Sequence, residues 1–314
     1  MMILAVRYLI KNKWHLKEID NNIMNKNFIP AIILLAIFSS ANAQESLLRG
    51  MEDSIPVREK VSSAFKSTRV INAHSIEMLA KGNLDFRILH RFGFVNDGVK
   101  QWFGLDNASM RMSFDYGITN DLTIGIGRST FRKEIDYFVK GRLFQQSKGP
   151  GSIPFSLIVA VGSSIWTESS VPNKTNVTDR TAHYVQIIAG RKFSNNFSLQ
   201  LSPIVVHRNL IEIGDNDNTI FAVGGGARYK VSKRIALTVD YHHPLNGLTA
   251  VNTDPLSVGI DIETGGHVFQ LHFSNVVGMN ERAYITQTSG KFFNGDIRFG
   301  FNLSRIFKIG NRKR

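Results

Sequence analysis

From Leu84 onward the chain is written almost entirely in two-residue alternation, and its connections are sorted by length. Twelve segments carry the alternation, near 84–94, 108–117, 121–130, 134–144, 153–165, 181–193, 196–208, 218–230, 233–243, 255–263, 266–275 and 295–307. Period-two patterning means strands with one apolar and one polar face. Most of these segments are long for ordinary strands but suited to tilted spans of a bilayer. The connections after the second, sixth, eighth and tenth segments are tight: "ITND", "SNN", "VSKR" and "TGG". Those after odd segments are mostly long and polar, such as "TESSVPNKTNVTDR" and "VVGMNERAYITQTSGKFFN". Short turns at one end and long loops at the other are the signature of an up-and-down membrane barrel, whereas a soluble sandwich has no reason to sort its loops. No helical-period segment longer than two turns separates the strands, which excludes an α/β fold. The expected fold is all-β: a transmembrane up-and-down antiparallel β-barrel of about twelve strands, with both termini on the short-turn, periplasmic side.

Parity assigns the two faces. Met110, Met112, Phe114, Leu122, Ile124, Ile126, Leu157, Val159, Val161, Val185, Ile187, Ile235, Leu237, Val239, Val258, Ile260, Ile262, Phe269, Leu271 and Phe273 fall on the lipid side. Aromatic residues recur near strand ends (Phe92, Phe94, Tyr116, Trp166, Phe193, Phe197, Tyr241, Phe307), where an interfacial girdle belongs. The opposite face carries Asp85, Arg87, Arg91, Arg111, Asp115, Asp136, Lys140, Arg142, Arg228, Asp240, Asp261, Glu263, Asp296 and Arg298, seven basic and seven acidic. A balanced wall fits two models, a transverse field across a narrow aqueous pore or a salt-bridged closure, and pairing depends on register. Bare positions at Gly125, Gly127, Gly162, Gly224 and Gly226 lean toward open space. In the closing segment Phe299, Phe301, Leu303 and Phe307 form the oily edge that pairs back toward Leu84 and carries the assembly signal.

The ends point to export. "MNKNFIPAIILLAIFSSANA" from Met24 has a Lys26 n-region, an apolar run and an A-x-A site before Gln44. Residues 1–43 are therefore read as a signal peptide, with 1–23 preceding a better start codon. Residues 44–83 form a periplasmic lead-in or partial plug, in which "SAFKSTRVINAHSIEMLAKG" holds a short strand and a helical turn. Residues 84–314 form the barrel. The chain has no cysteine, which excludes a lipoprotein anchor, disulfides and thiolate chemistry. Its net charge is +13; without the five basic and two acidic residues of 1–43, 33 basic stand against 23 acidic, or +10. That balance favours anionic lipid and lipopolysaccharide phosphates as partners, and no recognition motif points to nucleic acid.

Catalytic signatures are sparse. His272 and Ser274 share a face of "GGHVFQLHFSN", beside His267, and "YHH" supplies His242 and His243. These read as polar lumen residues, with a nucleophile–base pair as the sharper alternative. A zinc site from His242, His272 and Glu263 is conceivable but no spacing requires it. "GGGAR" at 224–228 opens no helix and is no phosphate loop. No cofactor is expected.

"FKSTRVINAHSIEMLAKGNLDFRILHRFG" (65–93), "YGITNDLTIGIGRS" (116–129), "HRNL" (207–210), "ARYKVSKRIAL" (227–237), "IETGGHVFQLHFSN" (262–275) and "GDIRFGFNLSRIF" resemble a domain-of-unknown-function family of outer-membrane β-barrels from Gram-negative bacteria. The resemblance covers nearly all of the mature chain. It implies the barrel fold and an outer-membrane location, and it implies no activity. Seven residues follow Phe307, a departure from barrels that end on their final aromatic, although recognition by the barrel-assembly machinery through this strand is expected. The leading functional expectation is passage of small polar solutes. A structural or adaptor barrel with a closed lumen stands second, and an outer-membrane lipid hydrolase third.

Overall fold

The computed structural model describes residues 57–168, 176–210, 215–249 and 251–309. The signal peptide read at 1–43, and residues 44–56 after it, lie outside the described residues. Twelve long strands follow one another: β1 Asn83–Phe94, β2 Ala108–Gly117, β3 Leu122–Ser129, β4 Ile135–Phe144, β5 Ser156–Ile165 and β6 Thr181–Lys192, then β7 Phe197–Arg208, β8 Thr219–Lys230, β9 Ile235–Pro244, β10 Leu256–Thr264, β11 His267–Ser274 and β12 Arg298–Lys308. Each pairs antiparallel with its neighbours in sequence, and β12 pairs with β1, so the sheet is a closed barrel with no free edge. At the closure Phe307 stands opposite Leu84 and Leu303 opposite Ile88, the register expected for the closing strand.

Burial is inverted relative to a soluble protein. Ile126 is 54% exposed and Phe221 50%, while Arg87 and Arg111 are at 0%. The expected apolar set, from Met112 and Phe114 to Leu271 and Phe273, lies on the outer surface, and most of the polar set, including Asp85, Arg87, Arg91, Arg111, Asp115, Asp136, Lys140, Asp240 and Asp261, lies inside. A continuous apolar belt on the outside and charge on the inside is stable only with lipid against the belt. Outer aromatics brace the seam: Phe299 stacks on Phe92 with centroids 5.8 Å apart, and Phe301 on His90 at 4.9 Å.

Two local expectations are corrected. The closing strand begins at Arg298, not Gly295. Gly295 takes a left-handed φ of 91° after the short 3-10 turn Phe292–Asn294, which breaks the extended path before Asp296. The segment around residues 65–84 contains no helix. It folds into a tight hairpin in which Val70 N–H donates to the Ala73 carbonyl (2.9 Å), and Ser75 N–H to the Thr68 carbonyl (2.9 Å).

The lipid-facing assignment predicts that Ile260→Arg, at the centre of β10 between Leu237 and Leu271, destabilises the barrel by about 2–4 kcal/mol. Equilibrium unfolding in lipid vesicles measures this, and an unchanged midpoint would contradict the assignment.

Candidate functional site

The lumen is occupied. Residues 64–79 carry buried Ala64, Phe65, Val70, Ile71, Ala73, Ile76 and Leu79. They are held by inward-facing side chains from around the whole ring. The Asp240 carboxylate of β9 accepts the amides of Ile71 (3.3 Å), Asn72 (2.7 Å) and Ala73 (2.9 Å). Gln200 of β7 donates to the His74 carbonyl (2.7 Å) and accepts the Ile76 amide (3.0 Å). Gln270 of β11 donates to the Val70 carbonyl (2.6 Å), and Asn302 of β12 to the Ile71 carbonyl (2.9 Å). Lys140 of β4 donates to the carbonyls of Thr68 and Glu77. Arg87 of β1 donates to the Thr68 hydroxyl (2.7 Å). Partners on so many strands place this hairpin inside the barrel, as a plug.

A second insertion comes from the long loop between β11 and β12. Val276, Met279 and every residue of the short helix α1, Glu281–Thr286, are buried. Asn280 caps α1 by accepting the Ala283 amide (2.8 Å), and its side-chain amide and Arg282 both clasp the buried Glu134 carboxylate. The insertions meet at Glu281. Its carboxylate accepts from Arg69 (2.7 Å), which also donates to the Asn72 carbonyl, and lies 3.3 Å from His74 Nε2. Apolar contact completes the closure: Tyr284, Ile285 and Val276 cluster with Ala73, Phe138, Tyr184 and Ile204.

The predicted wall charges divide into three groups. Arg87 pairs with Asp85 (2.6 Å), Arg111 with Asp136 through Nε (2.9 Å), and Arg228 lies 3.9 Å from Asp261. Asp115 is buried with them, and among the described residues Arg91 bonds neutral oxygens, on His90, Asn302 and Asn72. At the short-turn rim Arg142 pairs with Asp121 in the β2–β3 turn, and Glu263 with Lys66. At the other end Arg298 caps the start of β12. Asp296 is corrected: it lies outside the wall, in the loop before β12. There it accepts the Lys291 amide (2.9 Å) and the Asn96 side chain (2.7 Å), which hold its carboxyl below the ordinary carboxylate range.

The expectation drawn from the glycines is also overturned. They do not leave open space; they make room for large lumen side chains. A Cβ at Gly125 would lie 2.2 Å from the Phe138 ring, at Gly127 2.3 Å from the Arg111 guanidinium, at Gly162 2.6 Å from Tyr184, and at Gly224 2.1 Å from His242. At Gly226 it would meet Val70 of the plug at 2.8 Å.

The histidine hypotheses gain no geometry. Ser274 bonds Ser257 (2.6 Å), not His272, whose ring nitrogens have no partner among the described residues. His243 is exposed against Asp254, and His267 sits at the short-turn end, opposite Arg305. Glu263 also lies at that end, far down its strand from the level of His242 and His272. Among the described residues no cluster of His, Asp or Glu is arranged to hold a metal ion. The residues that sequence reasoning did not single out are Arg69, His74, Glu134 and Glu281. For Glu281 there was a signal: "VVGMNERAYI" is too apolar for a loop in water and carries an Asn N-cap.

A family model described as a membrane bound beta barrel domain (DUF5777) matches residues 65–307. Among curated proteins none matches. Among solved structures, the NanC porin is 9% identical with a TM-score of 0.45, covering 73% of this chain and 100% of that one. The KdgM porin is 8% identical with a TM-score of 0.42, covering 73% and 99%. The Acinetobacter baumannii outer membrane protein Omp33 is 10% identical with a TM-score of 0.38, covering 72% and 99%.

Arg69→Gln strands the Glu281 carboxylate in the lumen and is expected to cost about 3–5 kcal/mol. Arg69→Gln with Glu281→Gln should recover a large part of that loss. Thermal unfolding in detergent reads both, and a single variant as stable as wild type would show that the junction carries no weight.

Proposed function

This chain belongs to the membrane bound beta barrel domain family, and from that premise we propose that it is a gated outer-membrane transport barrel, closed at rest. Small polar solutes pass when the 64–79 hairpin leaves the lumen. One observation carries this reading: the plug is held to the wall largely through hydrogen bonds that water can replace. Asp240, Gln200, Gln270, Asn302 and Arg87 each satisfy the plug, and each can be hydrated once it departs. The wall exposed in this way is polar and lined with serine, threonine and charge, the interior of a water-filled barrel. With short turns on the periplasmic side, the plug enters from the periplasm and the α1 loop from outside. The wall's charges pair mostly among themselves or with the plug, which favours weak selectivity at mid-lumen.

A second reading, a permanently closed structural barrel, draws on the apolar packing of Phe65, Val70 and Ile76 against Ile158 and Ile188. Exposing that cluster opposes release of the plug. The lipid-hydrolase reading gains no supporting geometry.

Conductance in planar bilayers separates the two readings. Wild type is expected to conduct rarely, and Asp240→Ala, which leaves three plug amides without their acceptor, to conduct steadily. Asn72→Cys with Ser257→Cys, added to that variant, replaces a 2.9 Å side-chain contact and should silence it when oxidised. Reduction should restore the current. An Asp240→Ala barrel that stays at the bare-bilayer baseline would favour the structural reading.

A further inference from the structure

At the long-loop end, the mouth of the barrel holds an open cavity of about 500 Å³, between the ends of β1, β2, β3 and β12 and the loops above them. Its size is that of a small-molecule site. Its lining residues include three arginines, Arg91, Arg132 and Arg298, and one acidic residue, Glu168, whose carboxylate lies 3.6 Å from Arg132. Ser109 and Thr130 add hydroxyls. Unlike the wall below, this cavity is not charge-balanced.

Arg91 is the unusual member. It is 0% exposed, yet its hydrogen-bond partners among the described residues are neutral: the His90 carbonyl (2.9 Å) and the side-chain oxygens of Asn302 (2.9 Å) and Asn72 (2.8 Å). Its Nε has no partner among the described residues, and neither does that of Arg298. The carboxylate that acts on Arg91 through space, Asp240, is spent on three plug amides. Arg298 is fixed differently. Its guanidinium lies 3.6 Å from the centre of the Phe94 ring, and one nitrogen donates to the Phe92 carbonyl (3.1 Å). Stacking holds the plane of the group and leaves in-plane N–H donors for a further acceptor. The carboxylates nearest in effect, Asp97 and Asp296, form no ion pair with it, and Asp296 is already engaged by Asn96 and Lys291. A buried cation without a counter-ion is costly, and an anion arriving in the cavity supplies one.

We propose that this mouth is a binding site for the oxyanion of a small acidic solute, a carboxylate or a phosphate. Arg298 takes the charge directly, the buried Arg91 adds its positive field from beneath, and the Ser109 and Thr130 hydroxyls take the remaining oxygens. As a solute-capturing station this rests on the transport reading; as a binding site it does not, because it is complete in the closed barrel. Equilibrium binding therefore tests it apart from conductance.

The experiment is calorimetric titration of the detergent-solubilised full-length protein with inorganic phosphate and, separately, acetate, at ionic strength held constant with chloride. Saturable binding of one probe is expected, and the tighter probe identifies the oxyanion. Arg298→Gln should weaken it by at least about tenfold, the worth of one charge-assisted bond. Arg298→Lys, which keeps the charge without the planar fork, should weaken it by an intermediate factor and serves if the first variant does not fold. Arg142→Gln removes the same charge at the opposite rim and should leave affinity within about twofold, as screening dictates. No saturable binding of either probe, or equal losses in Arg142→Gln and Arg298→Gln, would overturn the site.

Discussion

Asp240, 2% exposed in the middle of the lumen, takes three consecutive backbone amides at the tip of the plug, and the interior is organised around that contact. A carboxylate held away from water needs donors, and three aligned amides converge on its Oδ2 without adding a second charge. The tight turn at Val70–Ala73 is what aims those amides at one point. With the tip fixed, Gln270 and Asn302 reach the carbonyls behind it, and Arg69 is delivered to Glu281. Closure from the opposite end follows, because Glu281 sits on α1. The plug and the outer loop are thus joined by one buried ion pair, so displacement of either exposes the other's charge.

The barrel itself was legible in the sequence because alternation and loop sorting are local properties. Ile235, Leu237, Val239, Val258, Ile260, Phe269, Leu271 and Phe273 of β9, β10 and β11 face outward as parity requires, and the Phe307–Leu84 closure falls where the closing segment predicts. A partial plug was one of two readings of residues 44–83, but its contacts were not legible, because they join residues far apart in sequence, such as Asn72 with Asp240 or Asn302 with Ile71. A hairpin with one internal bridge has no period to detect. The lead-in "STRVINAHS" reads as a mixed polar stretch until a wall is placed around it.

The glycines show how an ambiguous signal resolves. A bare position on an inward face is consistent with a channel or with a neighbour that needs the space. Here Phe138, Arg111, Tyr184 and His242 fold across Gly125, Gly127, Gly162 and Gly224, so the glycines belong to the closure. Charge balance resolved in a similar way. Asp85–Arg87 and Arg111–Asp136 neutralise the wall locally, Arg91 is held by Asn72 and Asn302, and Arg298 stands at the mouth.

The central claim is that the 64–79 hairpin is docked inside the barrel of the resting protein. Amide hydrogen exchange of the wild-type chain in lipid nanodiscs tests it directly, since these backbone groups are protected only by wall side chains and by the hairpin's own turn. The amides of Val70, Asn72, Ala73, Ser75 and Ile76 are predicted to exchange slowly, within the range of the barrel strands. Exchange of those amides at the rate of a free peptide, beside fully protected strands, would contradict the account.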